Sequence, residues 1–455
     1  MNRLVLLLCL AIISLTKNAT AQTESLASQD VTFGPYEYET KPDHDAFRSF
    51  NPRKAPQPGP LLLQKGDRLA ICGDSITEQK MYSRLIETYL TACVPQWQIT
   101  VRQYGWSGEK TDGFLRRMER DCLTFKPTVA TLAYGMNDSR YRPFDATNGR
   151  WYRDHYTAIV RQFKQNGVRV VVGSPGCAGK IANWVKSRAG TLEQHNVHLC
   201  ALRDIAMNVA EREQVRFADI FWPMYQAQVC APEQHQATPD NPYFVAGKDG
   251  IHPGWAGQVI MAWSMLRALG VDGEIGTIAV DTGSGTIETS AGHQVNGFAD
   301  GKLTLTSSRY PFCARGDLHD HNSIRSGMTL VPFNDDLNRF ILKVRMPASQ
   351  KCRVTWGAAS RVYSDQQLNQ GINLADDFPD NPFCDAFNRV SEAVGIKQAY
   401  ETQQVKRDFH SRDAKADFEA VVKRTEEIRT PLAEAIVNAM QPVTHTLTLD
   451  FITEQ

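Results

Sequence analysis

The stretch Asp67-Arg68-Leu69-Ala70-Ile71-Cys72-Gly73-Asp74-Ser75-Ile76-Thr77-Glu78-Gln79-Lys80 contains the change of period on which the fold turns. Residues 68–72 form a short apolar run closed by Gly73, the pattern of a strand covered on both faces. After it Met81, Leu85, Ile86 and Tyr89 recur at helical spacing. Gly73 lets the chain turn without a Cβ, and Asp74 and Ser75 are residue types that cap helices. The alternation repeats downstream. Strands are expected at residues 99–101, 129–133, 168–172 and 215–218. Helices are expected around Phe114 and Met118, Tyr156 and Phe163, Leu199 and Val209, and Trp255 and Leu266, the last stopping near Gly270. Strands alternating with helices imply parallel βαβ units with helices on both faces of the sheet. A ligand site then lies beyond the carboxyl ends of the strands.

Outward from this unit the texture changes. Residues 271–360 are rich in Thr, Gly and Val in short alternating runs and are expected to be antiparallel strands. Residues 364–440 turn helical, with Ser364 and Gln367 as a capping box, and residues 444–449 alternate again as a returning strand. The charged run 415–429 reads as the wet face of an amphipathic helix. On the amino-terminal side, residues 22–64 are polar and then proline-rich, an extended arm on the domain or a tether. Arg3, the apolar residues 4–13 and Ala19-Thr20-Ala21 have the form of a secretory signal cleaved after Ala21. The expected division is therefore a signal at 1–21, an arm at 22–64, an α/β domain at 65–270, and a β-rich domain with a helical excursion at 271–455. Secretion or a periplasmic location follows from the signal.

The chain of 455 residues has 50 basic and 50 acidic residues. The signal holds two of the basic residues, Arg3 and Lys17, and none of the acidic ones, so the mature chain is expected to carry a net charge of −2. Nothing in that balance suits a nucleic-acid partner, which needs a basic excess or stripe. No run beyond the signal is long enough for a membrane span. Nine cysteines follow Cys9, and in an oxidising compartment some are expected to pair. Their number is odd, and Cys72, inside an apolar strand, is the expected free thiol. No C-x-x-C occurs, and the Asp317, His319, Asp320 and His321 group reads as a solvated loop, so no metal or cofactor is expected.

Four short loops carry the chemistry. Gly73-Asp74-Ser75-Ile76-Thr77 puts a hydroxyl past a strand end at a helix amino terminus, where N–H groups favour developing negative charge. Gly105-Trp106-Ser107-Gly108-Glu109 follows the second strand and can bring a backbone N–H to a ligand. Tyr134-Gly135-Met136-Asn137-Asp138 places a neutral amide donor after the third. Asn137-Asp138-Ser139 also has the N-glycosylation pattern, which a cleft position would disfavour. In Asp249-Gly250-Ile251-His252-Pro253 the carboxylate can orient the imidazole three residues on.

These blocks, in this order, resemble the SGNH hydrolases, also called GDSL esterases and lipases. The resemblance covers about residues 65–270 and implies a flavodoxin-like three-layer α/β/α sandwich. It implies Ser75 as nucleophile, His252 as general base and Asp249 as its orienter. It assigns the oxyanion hole to the N–H groups of Ser75 and Gly108 and the Asn137 amide, with Gly105 as the alternative second donor. A neutral base is needed, so the rate is expected to fall below roughly pH 6 to 7. The function expected is a secreted serine esterase that removes acyl groups, most simply acetyl groups, from a carbohydrate. An arylesterase, lipase or thioesterase uses the same machinery. An inactive scaffold that binds glycan is the reading from another class.

Overall fold

A computed structural model of the chain describes residues 33–185 and 190–452. The expected signal and Cys9 lie outside the described residues. Five strands form the first sheet: β1 (Arg68–Gly73), β2 (Thr100–Gly105), β3 (Val129–Ala133), β4 (Arg169–Gly173) and β5 (Arg216–Ala218). All neighbours are parallel, in the order β2-β1-β3-β4-β5. That is the flavodoxin-like order, and its switch point lies between β1 and β3. The helices between strands are α1 (Ser75–Glu78), α2 (Tyr82–Ala92), α3 (Thr111–Asp121), α4 (Ala146–Gln165), α5 (Leu192–Glu213), α6 (Phe221–Gln234) and α7 (Trp255–Ala268).

Alternation along each strand divides the sheet's two faces. Leu69, Ile71, Val129 and Val171 pack with Tyr82, Leu85, Ile86, Val259 and Leu266, from α2 and α7. Ala70, Cys72, Leu132, Val170 and Val172 pack with Phe114, Met118, Tyr156, Phe163 and Leu202, from α3, α4 and α5. The three-layer sandwich expected from the sequence is the architecture observed. Helix α6 was not anticipated; its apolar residues are nearly all buried, so it lacks a clear amphipathic period.

The arm lies on the domain from residue 33. Phe47 and Phe50 are buried against Trp222, Phe221 and Tyr225 of α6, and Arg53 pairs with Glu211 at 2.6 Å.

Beyond α7 come β6 (Glu274–Asp281), β7 (Thr286–Thr289), β8 (His293–Ala299), β9 (Lys302–Ser307), β10 (Arg339–Arg345), β11 (Lys351–Trp356), β12 (Ala359–Ser364), β13 (Ile372–Asn373) and β14 (Val443–Ile452). They make two sheets, β13-β10-β6-β7 and β12-β11-β14-β9-β8. Only β6 and β10 pair in parallel; every other pairing is antiparallel. The Ser364–Gln367 capping box forms as expected.

The helical excursion is α8 (Cys384–Gln403), a π-helical turn at Gln404–Asp408, and α9 (Phe418–Ala439). It packs on the first sheet's edge, against α2 and β2. Lys397 Nζ donates to Val101 O at 2.5 Å, Arg429 Nη2 to the same oxygen at 3.1 Å, and Gln103 N–H donates to Glu401 Oε2 at 3.2 Å. Side chains of the excursion thus take up the backbone groups that edge strand β2 would leave unpaired. The run 415–429 is therefore not wholly a wet face, because Glu426 and Arg429 turn inward to Arg102 and Glu401.

All nine described cysteines are free thiols, in contrast to the pairing expected. Two thiol–thiol contacts occur, Cys72 with Cys122 and Cys313 with Cys384. No helix among the described residues is long and apolar enough to cross a membrane.

Candidate active site

The four loops converge at the carboxyl ends of β1, β2 and β3 and at the start of α7. Ser75 opens α1, a position where helices leave N–H groups without intrahelical partners. Its cap is Asp74, whose Oδ1 accepts the Ile76 N–H at 2.9 Å. The turn is tight: a Cβ on Gly73 would lie 2.9 Å from Ala133 O and closer still to the Thr77 hydroxyl.

His252 Nε2 lies 2.8 Å from Ser75 Oγ, and His252 Nδ1 lies 2.7 Å from Asp249 Oδ2. The network assigns the Nδ1 proton to the Asp249 bond, leaving Nε2 to accept from the serine hydroxyl. Asp249 Oδ1 also accepts the N–H groups of Ile251 and His252, each at 2.9 Å. Partial burial disfavours ionisation of Asp249, but these bonds and the imidazole outweigh it and hold its pKa below the ordinary carboxylate value. Gly250 takes a φ of +82°, and a Cβ there would meet Lys180 N at 2.6 Å, so the D-x-x-H turn needs glycine.

The second loop separates its two glycines. Gly105 N–H is donated to Gln103 Oε1 at 2.9 Å, and a Cβ at Gly105 would lie 2.2 Å from Glu78 N. Gly105 is thus where β2 passes close to α1. Trp106 N–H donates to Gly73 O at 3.0 Å, Ser107 N–H to Glu78 Oε2 at 2.5 Å, and Glu109 N–H to Trp106 O at 3.1 Å. The N–H of Gly108 donates to no described residue; its φ is +73°, and a Cβ added there would meet nothing within 4 Å.

Asn137 is half-buried, and its carboxamide is fixed from three sides. Tyr141 Oη donates to Oδ1 at 2.8 Å, while Nδ2 donates to Asp74 Oδ2 and to Glu109 O, both at 3.1 Å. The carboxamide is thus engaged within the loop cluster, a position that disfavours glycosylation. Burial pushes the Asp74 pKa up to about 7, against the lowering pull of the Ile76 N–H. Asp138 beside it is raised by burial to about 6, although it accepts the Thr111 N–H and hydroxyl.

Ser75, Asp249, His252, Gly108 and Asn137 are therefore brought together. Among the aromatic and sulfur residues near the loops, Tyr134 and Met136 are core. Trp184, which no sequence pattern marks, is 49% exposed with its ring 5.9 Å from that of His252. Tyr141 and Asp74 also went unrecognised as supports for Asn137. The helix-cap pattern of Asp74 was visible, but nothing in the sequence signals Tyr141.

A model of the GDSL-like lipase/acylhydrolase family matches residues 71–260. No curated protein matches. Among solved structures, the chain is similar to a gut microbial diltiazem-metabolizing enzyme at 18% identity and a TM-score of 0.67, over 86% of this chain and 99% of that one. That likeness extends the shared fold beyond the first sheet into the carboxyl-terminal region. A catalytic mutant of an acetylxylan esterase from Geobacillus stearothermophilus is 21% identical over 46% of this chain and 97% of its own, with a TM-score of 0.36.

Proposed function

We propose that the chain, whose residues 71–260 match a model of the GDSL-like lipase/acylhydrolase family, hydrolyses carboxylic esters through an acyl-enzyme on Ser75. The observation that carries this is the continuous hydrogen-bonded line from Ser75 Oγ through His252 to Asp249. His252 Nε2 takes the Ser75 proton as Oγ attacks the ester carbonyl. The oxyanion receives hydrogen bonds from the Ser75 and Gly108 N–H groups and from Asn137 Nδ2. Collapse of the intermediate expels the alcohol, which takes its proton from His252. Water then enters, gives a proton to His252 and attacks the acyl carbon; on collapse Ser75 leaves, reprotonated, with the carboxylic acid as product. Gly108 is favoured over Gly105 as second donor because Gly105 N–H is already bound to Gln103.

The substrate proposed is an acylated carbohydrate, most simply an acetyl ester. Its support is Trp184, an exposed ring beside His252 on which a sugar face can stack. The same ring can stack on an aryl group, which favours an arylesterase as the second reading.

A fluorophosphonate probe is expected to label Ser75 in the folded protein, and Ser75→Ala to abolish both labelling and hydrolysis while the fold persists. Absence of labelling in the wild-type chain would refute the serine route. A panel of acetylated oligosaccharides against p-nitrophenyl esters of increasing chain length is expected to favour the acetylated oligosaccharides. Preference for the aryl esters would move the assignment to the second reading.

A further inference from the structure

One carboxylate joins the helix of the nucleophile to the loop of Gly108, and the cation that chelates it comes from the far end of the chain, with Lys80 the other lysine nearby. Glu78 ends α1, one turn beyond Ser75. Its Oε2 accepts the Ser107 N–H at 2.5 Å, immediately before the unengaged N–H of Gly108. Lys406, in the π-helical turn after α8, donates from Nζ to Glu78 Oε1 at 2.7 Å and to Oε2 at 2.8 Å. The pair is largely withdrawn from water, at 25% exposure for the lysine side chain and 22% for the glutamate. Trp106, the other neighbour of Ser107, is held between the same segment and Arg117 of α3. Lys406 Nζ lies 5.4 Å from its ring centroid, the His410 ring meets it at 5.1 Å, and Arg117 Cζ lies 5.0 Å away.

Two physical consequences follow. A chelated lysine holds the Glu78 carboxylate in one position, and so fixes the peptide that leads into Gly108. It also cancels a negative charge one turn from the serine on which negative charge must develop; a bare carboxylate there would oppose the oxyanion. We infer that Lys406 is a positioning residue for ester hydrolysis, acting through Glu78 to set the oxyanion loop. The carboxyl-terminal excursion is thereby part of the catalytic apparatus. This inference rests on the esterase reading above.

The test uses the full chain with p-nitrophenyl acetate, steady-state kinetics and fluorophosphonate labelling. Lys406→Met keeps the apolar stem and removes the charge; it is expected to lower kcat by about 10-fold with KM changed less than about 2-fold. Lys406→Arg is expected to recover most of the rate. Adding Glu78→Gln to Lys406→Met is also expected to restore kcat, because the amide oxygen still accepts the Ser107 N–H and no charge is left to neutralise. Wild-type kcat in Lys406→Met overturns the inference and leaves the esterase reading intact. So does a loss that neither Lys406→Arg nor the second substitution relieves, since a purely structural lysine would behave that way. A wild-type chain that hydrolyses no ester and takes no label removes the esterase reading itself, and the inference with it.

Discussion

The role proposed for Asn137 gives a neutral amide a task that a charged donor cannot do cheaply in a half-buried site. Its two Nδ2 hydrogens are engaged at 3.1 Å each, with Asp74 and with Glu109 O, so an arriving oxyanion must share or replace one of them. The Tyr141 hydroxyl on Oδ1 keeps the amide from flipping. A donor so fixed is pre-organised, and removing one such donor costs on the order of 3 kcal/mol of barrier. Asn137→Ala is therefore expected to lower kcat roughly 100-fold or more while Ser75 still takes the fluorophosphonate, and hydrolysis at the wild-type rate would remove Asn137 from the oxyanion hole. The groups proposed to react were picked out in the sequence because each sits in a short loop whose residue types are chemically unusual for a turn. Their supports were not. Lys406 meets Glu78 across 328 positions, which no local pattern records, and Tyr141, 4 positions from Asn137, lies in a turn whose residue types do not mark the contact.

Elements of the first sheet were readable because β1, β3 and β4 carry apolar runs and helices such as α2 and α3 keep a clear period, whereas β2, which carries Arg102 and Gln103, was legible only at its start. The helical excursion was readable as helices but not as to where they dock. Its docking depends on Lys397, 1% exposed, which lies 2.7 Å from Glu87 of α2 and 3.0 Å from Glu401. Arg429 Nη2 is 2.8 Å from the same Glu401 oxygen, and the cluster closes on Val101 O of the edge strand. In a sequence these residues look like any solvated helix charge. Buried, they form one network whose members compensate one another. Replacing one partner leaves the others as uncompensated buried charges, which costs about 3 to 5 kcal/mol. Lys397→Met is expected to destabilise the chain by that amount in denaturant titration. A stability unchanged within about 0.5 kcal/mol would show that the excursion does not depend on this cluster.

Across the whole molecule, the two carboxyl-terminal sheets are joined by a directed chain of hydrogen bonds that links acid stability to histidine. Trp356 Nε1–H donates to His445 Nδ1 at 3.2 Å, and His445 Nε2 lies 3.0 Å from Ser307 Oγ. Ser307 Oγ lies 2.8 Å from His293 Nδ1, whose Nε2 is 3.1 Å from Ile275 O. Only neutral imidazoles with their protons on Nε2 satisfy every member. Burial, with His293 nearby, lowers the His445 pKa to about 4, and burial lowers that of His293 as well. Both folded values lie below the unfolded value of 6.5, so the unfolded chain binds protons first as the pH falls. The stabilisation is complete above about pH 6.5 and is lost as the pH falls toward 4. Its size is roughly 3 kcal/mol for His445. Asp74 and Asp138 work in the opposite sense, since their raised values favour the folded state on protonation. A variant that changes only the histidine isolates its share. His445→Gln retains an acceptor for Trp356 and a donor for Ser307 without titrating. It is expected to flatten the fall in stability between pH 6.5 and 5 relative to wild type, while the carboxylate contribution stays common to both. Parallel stability–pH curves for the two proteins would show that the acid response of the fold arises elsewhere.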